Sequence, residues 1–260
     1  MSRQYENFLV DTVAGVATIA IDRATKRNAL TIGMWQALSL ICADLATDPD
    51  LRAVIVTGNG PSFCAGADIT ALSEDEATMK AVVYEAEEAL RGVAVPTIAK
   101  IRGHCVGGGN QIAVACDLRI ADRSATFGVP PAKLSVVYPV NSTRSLVELI
   151  GPAAAKRLIF TAAPIDAIEA LRIGMVDDVV EPAALDAATE RLVASMLPLA
   201  PITQAATKQL INAIADGRDA DELHRFWYER WAASEDGLEG PRAFLERRDP
   251  DFTWRPTGGG

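Results

Sequence analysis

Apolar and polar residues alternate over residues 10–21 on either side of Gly15, the period-two pattern of two strands joined by a tight turn. The period then lengthens. Met34, Leu38, Ile41 and Leu45 recur at helical spacing behind Thr31, which predicts an α-helix over 31–45 with the threonine as its N-cap. Residues 51–57 hold the β-branched run Ala53-Val54-Ile55-Val56 and end at Gly58-Asn59-Gly60-Pro61, predicting a strand buried on both faces and closed by a turn. Another strand is predicted at 96–101. It leads into Gly107-Gly108-Gly109, an apolar helix continuing over 112–116, and a further strand at 118–121. Strand, loop, helix and strand in that order predict an α/β core with crossover connections.

The C-terminal third has a different rhythm. Helical patterns follow one another over 142–150, 153–160, 167–172, 185–196 and 201–215, with one strand signal at 176–180. A polar, aromatic-bearing helix is predicted over 219–234, and Thr257-Gly258-Gly259-Gly260 reads as a disordered tail. The expected organisation is a core over 1–195 and a C-terminal helical region and tail over 196–260.

At 260 residues the chain can bury a sizeable core. Its net charge of -9 argues against nucleic-acid partners and anionic membrane surfaces and leaves small-molecule chemistry as the expectation. No apolar run reaches transmembrane length, and the start Met1-Ser2-Arg3-Gln4 lacks a signal-peptide pattern. Cys42, Cys64, Cys105 and Cys116 sit mostly in apolar segments without CxxC spacing, so a reducing, cytoplasmic compartment is expected. No metal-ligand spacing is present.

Two glycine-containing loops, 63–69 and 107–109, each follow a predicted strand. Glycine lets backbone N–H groups approach a ligand closely, and a helix N-terminus behind the second loop adds partial positive charge. Two converging N–H donors suit the oxygen anion of a polarised carbonyl, such as a thioester enolate. His104 reads as a hydrogen-bonded strand-end residue and His224 as part of a helix surface. Phe226, Trp227 and Trp231 are expected at a subunit contact.

Arg27-Asn28-Ala29-Leu30, Phe63 to Ile69, Gly103 to Ile112 and Ala125-Thr126-Phe127-Gly128 fall in an order and spacing that resembles the crotonase (enoyl-CoA hydratase/isomerase) superfamily. The likeness extends over almost the whole chain, through Gly151-Pro152 and residues 167–176 to Phe244-Leu245-Glu246-Arg247-Arg248. It implies an α/β fold of repeated ββα units, a C-terminal helical region that builds a trimer or a dimer of trimers, and an acyl-CoA thioester substrate. It implies no separate cofactor, since coenzyme A belongs to the substrate. By the same resemblance the N–H groups of Ala67 and Gly108 would hold the thioester oxygen, with Gly107, Gln111 and Pro131 among the substrate-binding residues. Arg27 and Ala29 would lie along the CoA nucleotide, with Ala65 and Ile69 near its adenine. Asp68 is either a ligand contact or a helix N-cap.

Hydratases of this superfamily carry glutamates at the positions of Gln111 and Pro131. An amide and a proline have no useful basicity, so ordinary general acid/base hydration is poorly supported by these two positions. Residues 127–138 resemble methylmalonyl-CoA decarboxylase, which has a proline at the position of Pro131 and an active-site tyrosine at that of Tyr138. The main expectation is therefore a lyase that decarboxylates a methylmalonyl-CoA-like substrate, Tyr138 holding the carboxylate. The alternatives are an enoyl-CoA hydratase or isomerase drawing an acid from elsewhere, for instance Asp75 or Glu85, and a CoA-thioester binder without turnover.

Overall fold

The computed structural model of the chain describes residues 2–68 and 76–256. A seven-stranded sheet takes its strands in the order β1 (Ser2–Tyr5), β2 (Phe8–Val13), β3 (Val16–Ile21), β4 (Ala53–Gly58), β5 (Thr97–Ile101), β7 (Leu118–Asp122) and β10 (Asp178–Val180). The first three are antiparallel and the rest parallel. The predicted hairpin is present: Val13 pairs with Val16, and Ala14 and Gly15 turn the chain at φ 48° and 78°, matching the strand twist. A second sheet, ordered β6 (His104–Val106), β8 (Thr126–Gly128) and β9 (Ile165–Asp166), stands beside it.

The strands alternate between the sheets. β5 in the large sheet runs into β6 in the small one and then into α3 (Gly108–Ala115), and β7 runs into β8 and then α4 (Pro131–Leu134). A parallel backbone pairing of Cys64 with Cys105, both free thiols, extends the pattern to the segment after β4, which precedes α2 (Glu76–Arg91) in the chain. These are the repeated ββα turns. Each delivers a loop to the same side of the small sheet.

Helices cover the large sheet. α1 (Ile32–Leu45) starts where Thr31 Oγ1 accepts the Met34 N–H at 3.2 Å, and it buries Met34, Trp35, Leu38 and Ile41 in the same core as Val54, Val56 and Ile101. On the other side, α7 (Leu185–Met196) sets Val193 beside Ala53 and Ile98, and Leu185 and Ala188 beside Ile120. Central strands buried on both faces explain the predominantly apolar sequences of β3 and β4. The expected helices at 142–150 and 153–160 form α5 (Val140–Thr161), broken at Gly151, where φ 75° and ψ 162° leave the helical region ahead of Pro152. α6 (Ala167–Arg172), α8 (Pro201–Ala215) and α9 (Asp221–Ala232) also lie where expected, and α10 (Asp236–Glu246) adds a helix beyond them.

The C-terminal helices are tied to the sheet layer by polar anchors. Lys208, almost fully buried, meets Asp117 at 2.8 Å and donates to the Val95 carbonyl, while Arg91 pairs with Asp216 at 2.8 Å. Trp227 is buried with Ile202 and Ala205 inside the chain and donates to Gln209, a correction to its expected place at a subunit contact. Phe226 and Trp231 keep about a third of their surface exposed. Among the described residues no helix is long and apolar enough to cross a membrane.

Candidate active site

The segment after β4 is stitched to its neighbours by backbone hydrogen bonds. Phe63 N donates to Arg102 O, Cys64 N to His104 O, and Ala65 N to Arg27 O, at 2.7, 2.7 and 2.9 Å. Leu30 then bridges Ala67 in parallel fashion: its N–H reaches Gly66 O, and its carbonyl receives Asp68 N, both at 2.8 Å. Such a bridge uses the groups on either side of Ala67. Its own N–H is left pointing away from Leu30, toward the start of α3.

At α3 the first helical bond runs from Gln111 N to Gly107 O, so the Gly108 N–H has no partner within the helix. Gly107 makes this placement possible with φ 52° and ψ -113°, a conformation that side chains oppose. Gly109 lets the loops close up, because a β-carbon there would stand 2.3 Å from the Cys64 carbonyl oxygen. The two free donors are neighbours: a β-carbon on Gly108 would lie 3.5 Å from the Ala67 nitrogen. This arrangement can hold one oxygen bearing negative charge.

Asn28 locks the construction. Fully buried, it donates through Nδ2 to the carbonyls of Ser62, Asn59 and Phe63 and accepts the Arg23 N–H on Oδ1. Arg23 also binds Ala29 O and pairs with Asp68 at 2.7 Å, so Asp68 has a structural partner in the cleft wall. Arg27 is exposed and Ala29 and Ala65 are half-buried, all three on the paired segments beside Ala67. Ile69 and Asp75 lie outside the described residues.

Farther along α3, Gln111 enters a cavity of about 10 Å³, which it lines with Glu87, Tyr138, Asn141, Ser142 and Arg91, among others. Three residues of helix place Gln111 about 4.5 Å beyond Gly108 along the axis. Gln111 Nε2 donates to Glu87 Oε1 at 3.0 Å and to Ser142 Oγ at 2.7 Å. Ser142 Oγ donates to Glu87 Oε1 at 2.7 Å, and Asn141 Nδ2 donates to Glu87 Oε2. Burial pushes the Glu87 carboxyl up to about 7, and nearby Glu88 adds to the rise, although Ser142, Gln111 and Asn141 favour its charged form. Tyr138 packs partly buried against the core, its hydroxyl held well above the ordinary range by burial and by Glu87. Pro131 is buried at the start of α4 and is not among the residues lining this cavity.

The structure therefore brings Ala67, Gly107 and Gly108 together and sets Gln111 and Tyr138 beside a carboxyl that the sequence reading did not single out. A signal for Glu87 existed. It falls in helical register with Val83 and Leu90, both buried, so it occupies an apolar-stripe position of α2. His104 meets Ser62 Oγ at 3.3 Å at a strand end, and His224 is exposed on α9, both as expected.

Comparison with known proteins agrees with this architecture. The family model described as enoyl-CoA hydratase/isomerase matches residues 11–255. The chain is 37% identical over 246 residues to (E)-benzylidenesuccinyl-CoA hydratase of Thauera aromatica, covering 91% of this chain and 95% of that one. It is 33% identical over 253 residues to the short-chain-enoyl-CoA hydratase of Clostridium acetobutylicum, with 94% and 97% covered. The crystal structure of enoyl-CoA hydratase from Bacillus anthracis superposes with a TM-score of 0.88 at 31% identity, covering 95% and 99% of the two chains. Hydratases among the relatives favour the hydratase or isomerase alternative over decarboxylation. By its sequence match and its fold, the chain belongs to the enoyl-CoA hydratase/isomerase family of the crotonase superfamily.

Proposed function

We propose that the protein adds water across the double bond of an enoyl-CoA thioester. The observation that carries this reading is the pair of adjacent backbone donors, Ala67 and Gly108, one helical turn before Gln111, which lines a polar cavity. As the double bond is attacked, electron density moves onto the thioester oxygen, and two preset N–H groups stabilise that charge without rearranging. Arg27, Ala29 and Ala65 lie on the paired segments beside Ala67, the side along which the CoA portion would lie. Hydration is redox-neutral, so coenzyme A enters only as part of the substrate.

Glu87 next to Tyr138 bears on the choice between reactions. A malonyl-type substrate would bring its carboxylate toward Tyr138, and an acidic neighbour opposes that charge, whereas an enoyl group carries none. We also propose a trimer or dimer of trimers in the cytoplasm. Phe160, Leu238, Phe244 and Leu245 are each more than two-thirds exposed, and apolar surface of that kind favours association.

Replacement of Gly108 by proline removes one of the two donors. Hydration of crotonyl-CoA is expected to fall at least about 100-fold while circular dichroism shows the fold retained. Unchanged turnover in a folded variant would overturn the role given to this N–H.

A further inference from the structure

We infer that Glu87 is the proton-transfer group of this site, one carboxyl doing the work for which related hydratases use two glutamates. The inference rests on the hydration reading and on four observations. Glu87 is only 7% exposed yet lines the cavity beside Gln111, the position at which one of the missing glutamates would stand. Gln111, Ser142 and Asn141 together give its carboxylate three donors. A carboxylate offers about four acceptor positions, and Ser142 has a single hydroxyl proton to share between Oε1 at 2.7 Å and Oε2 at 3.1 Å, so three donor protons leave acceptor capacity for one more. Finally, the cavity of about 10 Å³ has room for roughly one water molecule.

The chemistry follows from that arrangement. A water in the cavity gives one proton to the Glu87 carboxylate as its oxygen bonds to the β-carbon. The double-bond electron pair shifts to form the enolate, whose oxygen rests on the Ala67 and Gly108 N–H groups. The enolate then takes the proton back from the Glu87 carboxyl at its α-carbon. Water has been added, and the carboxylate is regenerated. Gln111, Asn141 and Ser142 are positioning residues that fix the carboxyl plane. The charged and titratable groups facing Glu87 are Glu88 and Arg91 on its own helix and Tyr138 ahead of α5; α3 and α5 present amides and hydroxyls. A carboxyl that titrates near 7 is suited both to accept and to return a proton at neutral pH.

The test compares the parent with Glu87→Gln and Glu87→Asp. For the parent, kcat for crotonyl-CoA should rise with pH through about 7 and then level, because the ionised form accepts the water proton. Glu87→Gln should lose about 100-fold or more in kcat, with KM little changed and that pH limb gone, and Glu87→Asp should recover part of both. A purely structural role would leave the pH limb in place. Exchange of the α-protons of bound butyryl-CoA with deuterated water, read by mass spectrometry, gives a second measure that needs no hydration. If the parent hydrates no enoyl-CoA but exchanges these protons and Glu87→Gln does not, the hydration reading fails and the assignment of Glu87 stands. A folded Glu87→Gln that retains kcat and the pH limb, or equal exchange in parent and variant, would overturn the assignment.

Discussion

A carboxyl held near 7 in the interior makes stability depend on pH. Below about 4.5, Glu87 is protonated in both the folded and unfolded chain. As pH rises toward 7, the unfolded chain releases the proton first, so the folded state loses stability over that window, on the order of 3 kcal/mol, and the loss levels off above it. Urea midpoints of the parent should therefore fall more between about pH 5 and pH 8 than those of Glu87→Gln; equal slopes would mean that the burial of Glu87 is overstated. At this scale the sequence was legible where backbone chemistry is written in residue type. The glycines of the loops at 63–69 and 107–109 pointed to two converging donors, and the family resemblance implied Ala67 and Gly108 as their positions. Glu87 stayed hidden in Glu85-Ala86-Glu87-Glu88, since a run of acids reads as a solvated helix face unless its register against Val83 and Leu90 is followed.

The elements succeed as a site because one buried amide joins the loop after β3 to the loop after β4. Asn28→Ala would leave the carbonyls of Asn59, Ser62 and Phe63 without their shared donor and free the Arg23 N–H. A loss of about 2–3 kcal/mol in stability is expected by chemical denaturation, and a lower kcat as well, because the loop carrying Ala67 would lose its tether. A variant with parent stability and parent kcat would contradict that role. Long periodic elements were readable: the β2–β3 hairpin, the Thr31-capped α1, β4, β5 and the two halves of α5 around Gly151. β6, β8 and β9 were not, because two or three residues cannot display a period. α2 was missed for another reason: its many charged side chains mask the stripe that packs on α1.

For the whole molecule, the sequence conveyed the superfamily and the α/β architecture through motifs spread along nearly the full chain. It did not convey which reaction is run, since that depends on a contact between α2, α3 and α5 that no local pattern records. The exposed apolar side chains of α5 and α10 lead to an expected mass of three or six chains by light scattering, and a monomer at working concentration would contradict the proposed assembly. The most direct test of the account is mass spectrometry of the CoA products after parallel incubation with crotonyl-CoA and methylmalonyl-CoA. Gain of one water on the first and no reaction of the second are expected. Loss of carbon dioxide from methylmalonyl-CoA with crotonyl-CoA untouched would contradict it.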